Sequence, residues 1–586
     1  MKQFFKYVFA TIIGVLLCLV IFTFVVLGLI SSARSDKKTE VEANSVLRLS
    51  LDYAIKERTS SNPLSGIPFL NLSVKKTPGL NEILASIKRA KTDDNIKGIY
   101  LDESYMLSGQ ATSEEIRNAL LDFKKSGKFV LAYGEIYTQG AYYLASVADK
   151  IYLNPKGIFE FRGFHSQYTF FKGALEKLGI EAQVIKVGTF KSAVEPFILD
   201  KMSEPNRLQV NSYLGSLYDY FLTGISKSRK LNKDSLFNIA NNLRIKYPED
   251  ALKYKLIDGL KYKDEILDEL KTRTGKDKDE TVNMVELSDY VQPNEDQEKG
   301  SSNSRIAIVY ASGDIGGGEG DDNSIGSEGI SKAIRKARMD KKVKAVVLRI
   351  NSPGGSSLAS DVLWREVMLT KKVKPIIVSM GDVAASGGYY MACAADSIFA
   401  QPNTITGSIG IFAILPNMQN FLNQKLGVTF DGVKTGKFAD LGDVTRPLNP
   451  AERAILQDQV NRGYLDFTSA VATGRKKTQK YIDSIGQGRV WTGSQALKIG
   501  LVDRLGSIND AIRSAAAKAK IKDYQLVAYP EQKSLFENFG SGLASEAKTY
   551  MVKQELGESY KYYEELKTIL KFNGTQMRLP YTLDIR

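Results

Sequence analysis

The sequence predicts two tandem, homologous α/β domains behind an N-terminal transmembrane helix. Three observations lead to this fold class: an uncharged apolar run near the start of the chain, a long internal repeat, and apolar strands that alternate with amphipathic helices inside each repeat. Near-continuous apolar strands are typical of parallel sheets covered by helices. With 586 residues, the chain also exceeds the roughly 250–300 residues over which one hydrophobic core usually extends.

The anchor is predicted from residues 7–30, which carry no charge over 24 positions. A bilayer span needs about 20 apolar residues, whereas the apolar core of a cleaved signal has about 7–15. Ser31-Ser32-Ala33 is similar to a cleavage site, so removal of the segment is the alternative to a retained anchor. Basic residues flank the run on both sides, and the flanking charge therefore does not decide its orientation.

The internal repeat is visible as a gapless alignment. GEIYTQGAYYLASVADKIYLNP, which begins at Gly134, matches GDVAASGGYYMACAADSIFAQP, which begins at Gly381, at an offset of 247 residues. A period of this length indicates two homologous domains and not a solenoid. The predicted organisation is an N-terminal tip and anchor (1–33), a first domain (46–286), a polar linker (287–304), a second domain (305–530) and a C-terminal tail (531–586).

Two strand ends in the second copy carry the residues of chemical interest. The apolar run 376–380 predicts a buried strand that leads into GDVAASGGYYMA, and the run 345–350 predicts a second strand that ends in NSPGG. In the first copy, Thr112 and Glu115 predict a capping box at the start of a helix. Strand–helix–strand order of this kind predicts parallel sheets with right-handed crossovers.

Ser386 is the candidate nucleophile, because it is enclosed by small residues that let a substrate approach closely. Gly354 and Gly355, at the other strand end, are suited to directing N–H groups at an oxyanion. The first copy has Gln139 at the position of the serine and Met-Leu-Ser at the position of Pro-Gly-Gly. The alternative interpretation is that both segments are tight turns without chemistry.

The chain contains a single histidine, His165, so a serine nucleophile with a histidine base would have to use that residue. Its counterpart in the repeat is Phe412, so we expect a packing or surface role for it. A neutral lysine is the usual alternative base for a serine, and Lys191 in KVGTFKSAVEPF lies where the second copy has Ala439. Each half therefore keeps one part of a site.

A lysine can act as a base only if its pKa is lowered, and burial beside apolar groups has this effect. The apolar residues expected around Lys191 are Phe190, Val194 and Phe197. Ser408, in TITGSIGIF, is suited to orienting the amine by a hydrogen bond. The rival bases, Lys434 and Lys437, belong to the serine's own half.

Composition excludes several other classes of function. One histidine rules out an all-histidine metal site, and two cysteines provide no disulfide framework. The net charge of +14 is spread over lysines that alternate with acidic residues, and no nucleic-acid-binding motif is present. The sequence therefore predicts no nucleic-acid partner, and its basic surface favours contact with a membrane.

Four motifs in chain order, KVGTFKSAVEPF, NSPGGSSLAS, SMGDVAASGGYYMA and TGSIGIF, resemble those of the signal peptide peptidase A family of Ser-Lys proteases in its long, duplicated form. The resemblance extends from the anchor to about residue 530. It implies two protease-like domains similar in fold to the Clp protease and crotonase group. The site residues that it implies are Ser386 as nucleophile, Lys191 as general base, Ser408 as the residue that orients the lysine, and Gly387 with Gly354 or Gly355 as the oxyanion hole.

The resemblance further implies a membrane-bound serine endopeptidase that degrades remnant signal peptides after their release from preproteins. It implies no cofactor and no metal, a homotetramer, and a single-pass location in the bacterial cytoplasmic (inner) membrane, with a cytoplasmic tip and catalytic domains on the outer, periplasmic face. Two alternatives remain, a crotonase-like thioester enzyme and a non-catalytic membrane scaffold. The C-terminal tail carries no functional prediction.

Overall fold

The computed structural model describes residues 2–33, 40–59, 77–291, 303–532, 552, 554–557, 560 and 574–579. The chain forms two units, residues 1–42 and 43–586. The first unit contains the 32-residue helix α1 (Lys2–Ala33). Among the described residues, no helix has both the length and the apolar character that a bilayer span requires. The transmembrane anchor stays a prediction.

The described residues of the second unit form strands and helices that are interspersed along the chain. The strands are β1 (Ser45–Leu49), β2 (Ile96–Asp102), β3 (Phe129–Tyr137), β4 (Lys150–Phe159), β5 (Glu181–Val187), β6 (Gly259–Leu260), β7 (Met284–Glu286), β8 (Arg305–Ser312), β9 (Asp314–Gly316), β10 (Gly320–Asp321), β11 (Ser324–Gly326), β12 (Val343–Ser352), β13 (Gly354–Ser356), β14 (Ile376–Ala385), β15 (Ser397–Ala400), β16 (Ile405–Gly407), β17 (Ile411–Asn417), β18 (Val490–Thr492), β19 (Arg504–Leu505), β20 (Gln525–Tyr529) and β21 (Gln576–Arg578).

The helices of this unit are α2 (Leu80–Thr92), α3 (Gln110–Lys124), α4 (Gln139–Ala145), α5 (Lys172–Leu178), α6 (Glu195–Ile198), α7 (Glu204–Arg229), α8 (Lys233–Asn241), α9 (Pro248–Lys253), α10 (Lys263–Thr274), α11 (Leu287–Tyr290), α12 (Ser327–Met339), α13 (Ser357–Lys371), α14 (Gly387–Ala392), α15 (Pro450–Arg475), α16 (Gln479–Ile485), α17 (Gly493–Lys498) and α18 (Ile508–Lys518). A 3₁₀ turn (Ser192–Val194) and a π-helical turn (Phe421–Lys425) complete the list.

The first half of the repeat forms a six-stranded sheet in the order β6-β4-β3-β2-β1-β7, and all of its neighbouring strands are parallel. The second half forms an eight-stranded sheet that contains β14, β12 and β8 as parallel neighbours. The central strands of both sheets are buried along almost their whole length, as their apolar runs require. The predicted α/β architecture with parallel sheets is confirmed.

The strand that leads to the candidate nucleophile has the predicted character. Its apolar run begins β14, which continues to Ala385, and α14 begins at Gly387. The upstream run lies in β12, which is followed by the short strand β13 at Gly354. Both glycine-containing segments are therefore turns at the carboxyl ends of adjacent parallel strands.

A third, mixed sheet contains strands from both halves of the repeat, in the order β10-β11-β9-β13-β21-β17-β5. Strand β5 of the first half pairs antiparallel with β17 of the second half, with Val187 opposite Ile411. This pairing brings the chain that follows β5, including Lys191, to the second half. No pattern within either copy predicts it, because the pairing joins segments more than 200 residues apart.

The predicted capping box at Thr112 and Glu115 is wrong. Helix α3 begins at Gln110, so both residues lie inside it. The carboxylate of Asp382, in the second half, accepts hydrogen bonds from the backbone N–H and the hydroxyl of Thr112 at 2.9 and 2.6 Å. An acceptor from the other half of the chain thus takes the place of a local cap at this helix N-terminus.

The predicted domain boundaries stay predictions. Residues 292–302 of the predicted linker (287–304) lie outside the described residues. So does most of the predicted tail (531–586), of which 574–579 is the longest described stretch beyond residue 532.

Candidate active site

Ser386 lies at the turn between β14 and α14 with φ 53° and ψ −113°, a backbone conformation that few non-glycine residues adopt. Its backbone N–H donates to the Gly407 carbonyl over 2.8 Å, and its own carbonyl accepts from the N–H of Tyr390 in α14. These bonds hold the strained turn in place. The side chain is fully buried in this structure.

Lys191 is brought to Ser386 by the strand pairing between the two halves. Its Nζ lies 2.9 Å from Ser386 Oγ, although the two residues are 195 positions apart. The loop that carries Lys191 is held by the second half, since the N–H of Phe190 donates to the Gln487 carbonyl over 2.8 Å. Gly488 is packed so closely that a Cβ on it would lie 2.6 Å from Lys191 Cα. Only glycine fits there.

The environment of Lys191 favours its neutral form. The side chain is fully buried, and burial alone lowers its pKa well below the ordinary lysine value of 10.5. The ring of Phe412 has its centroid 5.9 Å from Nζ, and Val194 belongs to the same apolar cluster as Phe412. Of the other predicted neighbours, Phe190 instead contacts Arg489 and Phe197 stacks on Phe171. The predicted burial is confirmed, with a partly different set of apolar residues.

Ser408 is the second polar partner of the lysine. Lys191 Nζ lies 3.1 Å from Ser408 Oγ and 3.4 Å from its carbonyl oxygen. Ser408 has φ 51°, in the left-handed region, and its N–H donates to the Arg489 carbonyl over 2.7 Å. Two hydroxyl groups, those of Ser386 and Ser408, therefore lie within hydrogen-bonding distance of one buried amine.

The three predicted oxyanion glycines also lie together. A Cβ on Gly354, which has φ +103°, would lie 2.8 Å from the backbone nitrogen of Gly387. The Gly354 N–H donates to Ser352 Oγ over 3.1 Å. Gly355 is paired with Ile315 of β9 and with β21. The structure thus brings the glycines beside the serine and leaves open which of the pair donates with Gly387.

The rival residues are not brought to the serine. His165 is exposed. Lys434 pairs with Asp440 over 2.7 Å at the surface, and Lys437 is exposed. Gln139, the counterpart of Ser386 in the first half, bonds locally to the backbone of residues 162 and 163. Within the part of the chain that the structure describes, no group of three or more His, Cys, Asp or Glu residues is placed to hold a metal ion.

Sequence reasoning missed two glutamines that hold the lysine loop. Gln209 is fully buried on α7 and donates to the Phe190 carbonyl over 3.0 Å. Gln487 contacts the same loop through its backbone carbonyl and lies next to the closely packed Gly488. Neither the buried glutamine of α7 nor the half-buried glutamine in the loop after α16 has a sequence signal of its own, so neither residue was predictable.

Comparison with known proteins finds similarity in both halves of the chain. The model of the family described as Peptidase family S49 matches residues 122–277 and 368–522, one stretch in each half. Protease 4 of Salmonella typhi is 37% identical over 537 residues, which cover 88% of this chain and 85% of that protein. Protease 4 of Haemophilus influenzae is 33% identical over 587 residues, which cover 96% and 95% of the two chains.

A plant protein is similar over nearly the same extent. The chloroplastic serine protease SPPA of Arabidopsis thaliana is 34% identical over 516 residues, which cover 86% of this chain and 74% of that protein. The family match covers more than half of the chain. The three relatives are named as proteases, and their alignments cover most of this chain. This chain belongs to peptidase family S49 and is a serine peptidase that acts on peptide substrates.

Proposed function

We propose that this peptidase is an endopeptidase with a Ser-Lys dyad divided between its two halves, Ser386 as nucleophile and Lys191 as general base. The observation that carries the proposal is the 2.9 Å distance between Lys191 Nζ and Ser386 Oγ at a fully buried lysine. Among the residues that the structure describes, no carboxylate pairs with this amine, and burial holds it neutral. A neutral amine can accept the serine proton. Ser408 orients the amine from 3.1 Å.

The mechanism follows from this arrangement. The Ser386 hydroxyl transfers its proton to the amine of Lys191 as Oγ attacks the peptide carbonyl, and the tetrahedral intermediate forms. The resulting ammonium returns the proton to the leaving amine when the peptide bond breaks. The same amine then takes a proton from the water that attacks the acyl-enzyme, and the ammonium returns that proton to Ser386 Oγ as the ester bond breaks. Ser408 keeps the amine directed towards the reacting atoms throughout.

The negative charge that develops on the carbonyl oxygen needs preorganised donors. We assign this role to the N–H of Gly387 together with that of Gly354 or Gly355. The support is the close approach of the Gly354 backbone to the Gly387 nitrogen, which a side chain at Gly354 would prevent. Donors of this kind contribute about 2.7–4 kcal/mol each to transition-state stabilisation.

We infer that the substrates are remnant signal peptides released from preproteins. The support is the family resemblance of the motifs and the apolar surroundings of the site. The test compares hydrolysis of a synthetic signal peptide with that of a polar peptide of equal length, using the wild type and Ser386→Ala. We expect cleavage of the signal peptide by the wild type alone. Equal cleavage of the polar peptide would reject this substrate class, and activity of the serine variant would reject the mechanism.

The same resemblance leads us to propose Clp protease/crotonase-like domains, an N-terminal bilayer anchor, an inner-membrane location with the catalytic domains on the outer face, and a homotetramer. The uncharged run 7–30 supports the anchor. Carbonate extraction of membranes and mass measurement of the detergent-purified protein test the anchor and the tetramer. Release of the intact protein by carbonate, or a monomeric mass, would reject the corresponding proposal.

A further inference from the structure

The strand that leads to the nucleophile has a large bulge shortly before Ser386. In the pairing of β14 with β12, a single residue of β12, Asn351, lies opposite the three residues 381–383 of β14. At the same place β14 exchanges its other neighbour, β15, for β16. Bulges next to active sites re-aim the residues that follow them. The shape of this bulge therefore determines where the serine turn lies.

The side chain of Asn351 closes the bulge. Its Oδ1 accepts a hydrogen bond from the backbone N–H of Val383 over 3.1 Å, in place of a backbone acceptor. This bond lies three residues before Gly354 on one strand and three residues before Ser386 on the other. The position of the Asn351 amide thus governs how the glycine and the serine lie relative to each other.

Glu57, from the first half of the chain, holds the other end of that amide. Its Oε1 accepts from Asn351 Nδ2 over 3.0 Å, and its Oε2 accepts from Arg349 Nε over 2.8 Å. The Glu57 side chain is 5% exposed. Because one end of the amide must accept from Val383 and the other must donate to Glu57, only one orientation of the amide satisfies both partners.

The bulge leaves room for this carboxylate. A Cβ on Gly381 would lie 2.5 Å from Glu57 Oε1 and 3.0 Å from Asn351 Cγ, so a side chain there would expel it. The carbonyl of Gly381 accepts from the Thr404 hydroxyl over 2.8 Å. The Asp382 carboxylate accepts from the N-terminus of α3, as described above. Each of the three bulged residues is thus held by a group from outside β14.

We propose that Glu57 is a positioning residue of this peptidase: by holding Asn351, it keeps the bulge closed and Ser386 aligned with the oxyanion glycines. The proposal deepens the divided dyad proposed above and rests on it. The first half then supplies two elements, the base that deprotonates the serine and the carboxylate that places it. A displacement of about 1 Å can cost about a hundredfold in rate, so a small shift of the bulge is measurable.

The first test removes the charge of Glu57 and keeps its size. In Glu57→Gln, the new amide nitrogen meets a donor, either Asn351 Nδ2 or Arg349 Nε, so one of the two hydrogen bonds is lost. We expect kcat, and the rate constant for labelling of Ser386 by a fluorophosphonate, to fall at least about tenfold. KM should change by less than about twofold, because Glu57 acts on the nucleophile and not on the bound peptide.

Glu366→Gln is the matched control. Glu366 is 5% exposed and accepts from Arg338 over 2.7 Å, but it lies on α13 and bonds to arginines of α12. The rate constant of labelling, unlike its extent, does not depend on how much of the protein is folded, so a loss of stability alone leaves it unchanged. We expect the wild-type rate constant in Glu366→Gln. An unchanged rate constant in Glu57→Gln, or an equal fall in both variants, would overturn the proposal.

Exchange of the two side-chain groups distinguishes positioning from a general loss of packing. Asn351→Asp alone places two carboxylates together and should also slow the reaction. In the double variant Glu57→Gln with Asn351→Asp, the new glutamine donates to the new aspartate, whose other oxygen accepts from the N–H of Val383. The local charge is unchanged, and we expect most of the wild-type kcat to return. A double variant that combines the full losses of the two single variants would contradict the proposal.

A third test leaves both side chains intact. Gly381→Ala places a Cβ 2.5 Å from Glu57 Oε1 and should lower the rate constant as Glu57→Gln does. Gly134→Ala makes the same change at the matching position of the first half, where the nearest atoms belong to that half and lie 3.0 Å away. It should leave the rate constant unchanged. Equal rate constants in the two alanine variants would count against the proposal.

The pH dependence separates the nucleophile from the base. Glu57 bonds to Asn351 and Arg349, whereas the amine of Lys191 bonds to the two serines. The acid limb of kcat/KM in Glu57→Gln should therefore coincide with that of the wild type, at a lower plateau. A shifted limb would place the effect at the lysine and overturn the proposal. Absence of labelling at the nucleophile in the wild type would reject the dyad itself, whereas equal labelling rates in the wild type and all variants would reject only the role of Glu57.

Discussion

Gln209 donates a hydrogen bond from its side-chain amide to the backbone carbonyl of Phe190 over 3.0 Å. The same nitrogen lies 3.0 Å from Ser192 Oγ, so Gln209 contacts both chain neighbours of Lys191. Its amide oxygen accepts from the N–H of Val490 in β18, the strand that pairs with β16 just before Ser408. One buried side chain thus connects the base loop of the first half with the serine half.

Gln209→Leu should lower kcat by about tenfold or more while KM changes little, because the amine is displaced from the serine and the substrate cleft is retained. A shift of about 1.4 kcal/mol in the barrier corresponds to tenfold in rate. Gln457→Leu is the control, since Gln457 also donates to the carbonyl of a residue before the loop, Lys186, but is only partly buried. Steady-state kinetics on one peptide give kcat and KM for both variants. An equal loss of kcat in Gln209→Leu and Gln457→Leu would contradict a positioning role for Gln209.

The pH dependence of the reaction should report the lysine. Burial lowers the pKa of Lys191, and the base is active only when its amine is neutral. Activity should therefore be lost as the pH falls through this lowered pKa, and kcat/KM should already be on its plateau well below pH 10.5. Lys191→Arg should be inactive throughout, since a guanidinium stays protonated. A wild-type profile whose acid limb is centred at 10.5 would be incompatible with a neutral buried base.

Lys191 should also reduce the stability of the fold at neutral pH. Its folded-state pKa lies below the unfolded value, so the unfolded chain binds a proton that the folded chain does not. The free energy of unfolding therefore rises with pH between the lowered pKa of the folded chain and the unfolded value of about 10.5. At a pH below both pKa values, each unit of the shift lowers the free energy of unfolding by about 1.4 kcal/mol. Lys191→Met should raise the free energy of unfolding by at least about 1 kcal/mol at neutral pH. Denaturant unfolding measures the free energy of unfolding of both proteins. A lower value for Lys191→Met than for the wild type would show that the buried lysine does not destabilise the fold.

Arg349 connects the halves through buried charges. Its guanidinium lies 2.8 Å from Glu57 and 2.7 Å from Glu115, and all three side chains are buried. Arg349→Met leaves two carboxylates without a cation, which should cost about 3–5 kcal/mol of stability. Arg513→Met removes an exposed partner of Asp510 and should cost less than about 1 kcal/mol. Comparable losses in the two variants, measured by thermal unfolding, would argue against a special role for the buried cluster.

The positions of Ser386 and Lys191 were predictable because the repeat compares one half of the chain with the other. Gln139 at the serine position and Ala439 at the lysine position show that each half lacks one of the two groups. The single histidine then excludes the commoner base. The parallel strands that lead to both turns were predictable as well, since buried parallel strands need continuous apolar runs.

Other features were not predictable, and the reason is distance along the chain. Thr112 was expected to cap its own helix, but the acceptor is Asp382 in the other half. Strand β21 is three residues long and has no periodic pattern, and its partners precede it by more than 150 residues. Gln209 is identified only by the groups that it bonds in the folded chain. Local patterns cannot show such contacts, because tertiary packing creates them.

The most direct test of the account is covalent labelling of the assembled wild-type protein and of Lys191→Met with a fluorophosphonate, located by mass spectrometry. Lys434→Met is the control, because Lys434 is a surface lysine of the serine's own half. The divided dyad predicts labelling at Ser386 in the wild type and in Lys434→Met, and its loss in Lys191→Met. Labelling of Ser386 at the wild-type rate in Lys191→Met would contradict the account.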